Sequence, residues 1–95
     1  MRFEWDEAKR QANIRKHRVD FRDIVDVFSG PLYVRADLRR GYGEERWIGI
    51  GERNGYVFYI VFTEPNEDTI RLVSARKADR DEQHLFEKEI WKNRY

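Results

Sequence analysis

The sequence contains no cysteine. Disulfides, thiol nucleophiles and cysteine-ligated zinc are therefore excluded. No run approaches the ~20 apolar residues of a membrane-spanning helix. The opening Met1-Arg2-Phe3-Glu4-Trp5-Asp6 mixes charges with aromatic rings, unlike a signal peptide. A cytoplasmic protein that does not meet a membrane is the expectation. Net charge is also nearly absent, since 19 basic and 18 acidic residues leave +1. Nucleic-acid binders are often more basic, so any such surface here must come from local clustering. No internal repeat, linker or low-complexity stretch interrupts the chain, and a single domain over residues 1–95 is expected.

What is present is charge and aromatic surface. Charged residues make up 39% of the chain, and three Trp, five Tyr and six Phe supply much of a modest core. The cations are grouped. Arg15-Lys16-His17-Arg18 closes a helical pattern, Arg39-Arg40 falls in a loop, and Arg71, Arg76, Lys77 and Arg80 cluster. These groups form a basic surface if they converge in space. The competing reading is that a highly charged chain scatters both signs over its whole surface.

In chain order, the alternation over Arg2 to Trp5 is compatible with a short edge strand. Asp6 is an N-cap candidate. Residues 7–17 are rich in good helix formers, with Trp5, Ala8, Ala12 and Arg15 marking the expected inner side. A second helix starts at Asp20. Val19 and Ile24 are spaced as a hydrophobic staple, Phe21, Ile24, Val25 and Phe28 form its apolar face, and Gly30-Pro31 ends it. Four strands follow: Leu32–Arg35, Arg46–Gly51, Tyr56–Thr63 and Thr69–Arg76. Asn54-Gly55 between two of them signals a type I′ hairpin, and Glu64–Asp68 reads as a turn. The last helix spans about Asp79 to Asn93, with Glu82, Leu85, Phe86 and Ile90 inward. Trp91 adds packing area or meets a partner. The order predicts an α+β fold: two N-terminal helices, a four-stranded antiparallel sheet and a C-terminal helix.

The stretch Ile70 to Glu82 organises the rest. Plain alternation places Ile70, Leu72, Ser74 and Arg76 on one face of the strand and Arg71, Val73 and Ala75 on the other, so one arginine leaves each face. Asp79 and Glu82 have the spacing of a capping box. The segment Arg71-Leu72-Val73-Ser74-Ala75-Arg76-Lys77-Ala78 with Glu82 resembles the signature of the BrnT family. Phe3-Glu4-Trp5-Asp6, Lys9, Asn13, Lys16-His17, Val19, Phe21, Glu45-Arg46 and Ile48-Gly49 extend the likeness over nearly the whole chain. BrnT proteins are small toxins of type II toxin–antitoxin pairs. The resemblance implies a RelE-like fold and metal-independent endoribonuclease activity, with no cofactor or metal, that inhibits translation. It also implies a BrnA-like antitoxin partner that forms a hetero-oligomer with the toxin and alone contacts DNA.

Cleavage by attack of a ribose 2′-OH needs a base, an acid and cations for the extra phosphorane charge. Arg71 and Arg76 are the candidate cations, since arginine binds phosphate bidentately. Either one could instead pair with a carboxylate to hold the last helix on the sheet. Lys77 is a candidate acid, base or phosphate clamp. Glu82 is a general base or the capping-box carboxylate, but not both at once. His17 has the intrinsic pKa for proton transfer, yet it would also simply stabilise a helix C-terminus. His84 reads as surface. Arg46 and Lys16 are RNA-binding candidates. Trp47 and Tyr56 could stack bases, against a default of core packing. Ser74 lacks the partners of a nucleophile.

Three positions depart from the family pattern. Arg18 stands where the family usually has glycine, at a position suited to a left-handed cap. Phe86 stands where a tyrosine could act as an acid. The family's T-x-R-G-D is here Thr63-Glu64-Pro65-Asn66-Glu67-Asp68, without the arginine. The alternative function is therefore an inactive module of the same fold that binds RNA or only its partner.

Overall fold

The structure is a computed structural model that describes residues 1–39 and 45–92, the last two of these by their backbone alone. Arg40, the side chain of Trp91 and the end of the last helix after Lys92 lie outside the described residues. The elements are β1 (Arg2–Glu4), α1 (Glu7–His17), α2 (Phe21–Ile24), a 3₁₀ turn (Val25–Ser29), β2 (Leu32–Ala36), β3 (Trp47–Arg53), β4 (Tyr56–Asn66), β5 (Thr69–Lys77) and α3 (Arg80–Lys92). The sheet order is β1-β5-β4-β3-β2. β2 to β5 form the expected antiparallel meander. β1 adds a fifth strand, parallel to β5, with Phe3 opposite Ile70 and Glu4 opposite Arg71. The sheet is thus mixed and five-stranded, not four-stranded and antiparallel. The edge strand expected over Arg2 to Trp5 is present; its parallel pairing with β5 is what the local pattern could not declare.

One face of the sheet carries the larger core. Phe21, Ile24 and Val27 pack there on Ile60, Phe62 and Leu72. Phe28 packs at the border of this core as expected, edge-to-face with Phe3 and Phe62, but Val25 gives way to Val27. The backbone tightens into a 3₁₀ turn, so the spacing of three brings Val27 into the fully buried set. On the other face α3 lays Leu85, Phe86 and Ile90 over Ile48, Ile50 and Tyr59. The Asn54-Gly55 turn has the positive φ values, 51° and 84°, that a type I′ hairpin needs. β4 runs past the expected turn through Pro65 to Asn66. A register irregularity between Thr63 and Asn66 accommodates the proline.

α1 does not bury Ala8, Ala12 or Arg15, which are exposed; it buries Arg10 and Asn13. The Arg10 guanidinium bonds Glu7 and reaches Asp20, the N-cap of α2. Asn13 donates to Val19 O and Ala75 O at 2.9 and 2.8 Å and accepts from Ala75 N at 3.0 Å. β1 pairs only Thr69 to Arg71, so the outer edge of β5 is free beyond that point. The Asn13 carboxamide occupies that edge as a neighbouring strand would. The helix is therefore fastened by polar contacts rather than by an apolar stripe.

Candidate functional site

The site forms because β5 is irregular. Val61 pairs with Ser74, but Phe62 pairs with Leu72, so Val73 is an extra residue. Such a bulge shifts the alternation of everything after it. Ile70, Leu72 and Ala75 all pack into the larger core. Arg71, Ser74 and Arg76 consequently share the opposite face. This corrects the reading of one arginine on each face. Arg46 precedes Trp47 by one residue, and Trp47 packs into the larger core, so Arg46 belongs to the arginine face.

Of Arg71 and Arg76, Arg76 is the more constrained. Its NH1 and NH2 donate to Glu82 Oε1 and Oε2, each at 2.8 Å. Its guanidinium carbon lies 4.2 Å from the centre of the Tyr59 ring. The hydrogen bonds to Glu82 raise its pKa and fix its charge. Glu82 also accepts from Asp79 N at 2.9 Å, while Asp79 Oδ1 accepts from Glu82 N at 2.8 Å. The capping box is thus real, and Glu82 joins it to the arginine. The Arg76 hydrogen bonds hold the Glu82 carboxyl below the ordinary range, which makes it a poor proton acceptor. Arg71 is held less tightly, by Glu4 Oε2 at 2.6 Å, and remains about 44% exposed.

α1 brings a second set of groups alongside. A cavity of about 220 Å³ is lined by Lys9, Ala12, Asn13, Lys16, His17, Val73 and Ser74. His17 is partly buried there. Burial lowers its pKa from 6.5, and the charges of Lys16 and Arg76 lower it further. A neutral imidazole therefore sits within electrostatic reach of the fixed guanidinium. The arrangement couples a proton acceptor to a cation that can hold an anionic phosphate.

The remaining candidates are dispersed. By strand alternation Lys77 leaves the other face, and its Nζ lies 4.4 Å over the ring of Tyr56. Trp47 packs against the larger core and borders a cavity with Glu45, Glu64 and Glu67, a setting that repels phosphate. His84 is exposed on α3, and Phe86 is buried. Tyr59 and Lys9 were not singled out as site residues from the sequence. The signal was present for Tyr59, which alternates with Val57 and Val61 on the face of Arg76. Among the described residues no three His, Asp or Glu side chains gather as metal ligands, and no helix is long and apolar enough to cross a membrane.

Comparison with known proteins adds two findings. Residues 5–82 match the family described as "Ribonuclease toxin, BrnT, of type II toxin-antitoxin system". The chain also resembles the crystal structure of the Brucella abortus ribonuclease toxin BrnT. The two are 30% identical, with a TM-score of 0.62, over 84% of this chain and 99% of that one. A search of curated proteins found no match.

Proposed function

The chain belongs to the BrnT family of type II toxin–antitoxin ribonuclease toxins, and from that premise we propose that it cleaves RNA on the arginine face of its sheet, without a metal ion. The observation that carries this reading is the fixed Arg76, with neutral His17 close enough to feel its charge. His17 accepts the proton of a ribose 2′-OH. The 2′-oxygen attacks phosphorus, and the bond from phosphorus to the 5′-oxygen breaks. A 2′,3′-cyclic phosphate and a 5′-OH result, the leaving oxygen taking its proton from solvent. Arg76 and Arg71 carry the extra phosphorane charge, and Lys16 and Arg46 hold flanking phosphates. Glu82 aims Arg76 instead of moving protons. Lys77, on the other face, takes no part in the chemistry.

Cleaving RNA in this way inhibits translation. The partner is a BrnA-like antitoxin that covers the basic face in a hetero-oligomer and itself carries the DNA contacts. The test is labelled RNA with EDTA present, wild type beside Arg76→Ala. Cleavage by wild type and a loss of roughly 10²–10³-fold in the variant are expected. Salt-dependent RNA binding with no cleavage, alone or in a cell-free translation mixture, would instead identify an inactive binding module.

A further inference from the structure

A second cavity, of about 410 Å³, opens on the same face toward β2. It is lined by Arg35, Ala36, Asp37, Leu38, Arg39, Ile48 and Tyr59. That volume lies within the range of ligand clefts, ~300–1,000 Å³. Its floor is apolar, from buried Ile48 and the Tyr59 ring that Arg76 covers. Leu38 stands at its mouth, 87% exposed. Asp37 has a fully buried side chain and grips Arg39 through Nε and NH2 at 2.8 and 2.7 Å, which fixes that guanidinium in the wall. Arg35 alternates onto the same face, and its charge reaches Glu82 and hence the Arg76 clamp.

We propose that this cavity is a nucleobase subsite that receives the base beside the cleaved phosphate and favours guanine. The inference rests on the cleavage site proposed above and gives it a substrate preference. An apolar floor beside a phosphate-holding arginine that itself stacks on Tyr59 suits a splayed base, which stacks on aromatic and guanidinium surfaces. The Asp37 carboxylate is buried against Arg39, so the polar side chains left exposed in the walls, Arg35 and Arg39, present donors. Guanine presents two acceptors, O6 and N7, along one edge, whereas adenine places an amino donor there. Arg35 is the reading residue, and Leu38 is the lip that covers the base.

The test titrates the full-length protein with guanosine 3′-monophosphate, adenosine 3′-monophosphate and inorganic phosphate, following backbone amide NMR shifts. The guanosine nucleotide should move the signals of Arg35, Leu38 and Ile48 and bind about tenfold or more tighter than the adenosine one. Phosphate alone should leave those three signals in place. Leu38→Asp and Arg35→Met should weaken the guanosine nucleotide and leave the response to phosphate intact. Equal affinities, or shifts that phosphate reproduces, overturn the proposal. Mapping cut sites on a mixed-sequence RNA separates it from the nuclease reading. Cleavage whose base preference survives both substitutions refutes the subsite alone. Absence of cleavage both on RNA alone and in a cell-free translation mixture refutes the nuclease, and the titration still decides the subsite.

Discussion

Residues 17 and 18 carry opposite kinds of information. Arg18 adopts φ 59°, ψ 30°, and its N–H caps α1 through Ile14 O at 2.9 Å. A side chain in this left-handed conformation costs ~1–2 kcal/mol, which glycine avoids. Arg18→Gly is expected to raise stability by about 1 kcal/mol, read from urea midpoints at unchanged slope. The strain was legible in advance, because the family pattern puts glycine there and a helix must end. The state of His17 was not legible, since its depressed pKa comes first from burial, with the charges of Lys16 and Arg76 adding to it, and of these only Lys16 is adjacent in sequence. Below its pKa the imidazole is charged and cannot accept a proton. The acid limb of the cleavage rate is therefore expected at a pH below 6.5, and His17→Asn should abolish that limb. Glu82→Gln should lower the rate but keep the limb, which separates aiming an arginine from taking a proton.

At the scale of elements, local signals held and pairing signals did not. The Asp79–Glu82 capping box, the Asn54-Gly55 turn and the inward stripe of α3 depend on residues within a few positions of one another, and each is where sequence placed it. The bulge at Val73 depends on which residues of β4 lie opposite. Nothing within β5 announces it, and it decides which face receives Arg76. α1 was misread because its attachment is polar. Asn13→Ala removes three buried hydrogen bonds and leaves the Ala75 N–H and two carbonyls unserved. An unserved buried group costs ~1–3 kcal/mol. A loss of roughly 3 kcal/mol is expected in denaturant unfolding, the larger part of a small domain's margin.

The whole molecule is nearly neutral, yet arginines gather on one face of the sheet, where Glu4 and Glu82 pair with two of them. Arg35, Arg46, Arg71 and Arg76 share one face, while Glu45, Glu64 and Glu67 border the cavity beside Trp47. Composition could not reveal this, because it counts charges without placing them. RNA affinity is expected to fall steeply with salt, and each phosphate contact contributes about 0.7 to the log–log slope for a single strand. Arg71→Ala should reduce that slope by roughly one contact, whereas Lys77→Ala should leave it unchanged. Fluorescence anisotropy at several salt concentrations reads both. The α+β order, the meander and an N-terminal edge strand were accessible from pattern; the parallel pairing of that strand with β5 was not, since it joins residues more than sixty positions apart.

The side chain that closes the edge of β5 has a consequence for solubility. Where Asn13 meets Ala75, an open strand edge offers its amide and carbonyl to any extended chain, including another copy of this one. Asn13 therefore also acts as a guard against strand-to-strand joining. When α1 lifts away, the same opening that frees the helix creates an adhesive edge, and molecules caught in that state can polymerise before they refold.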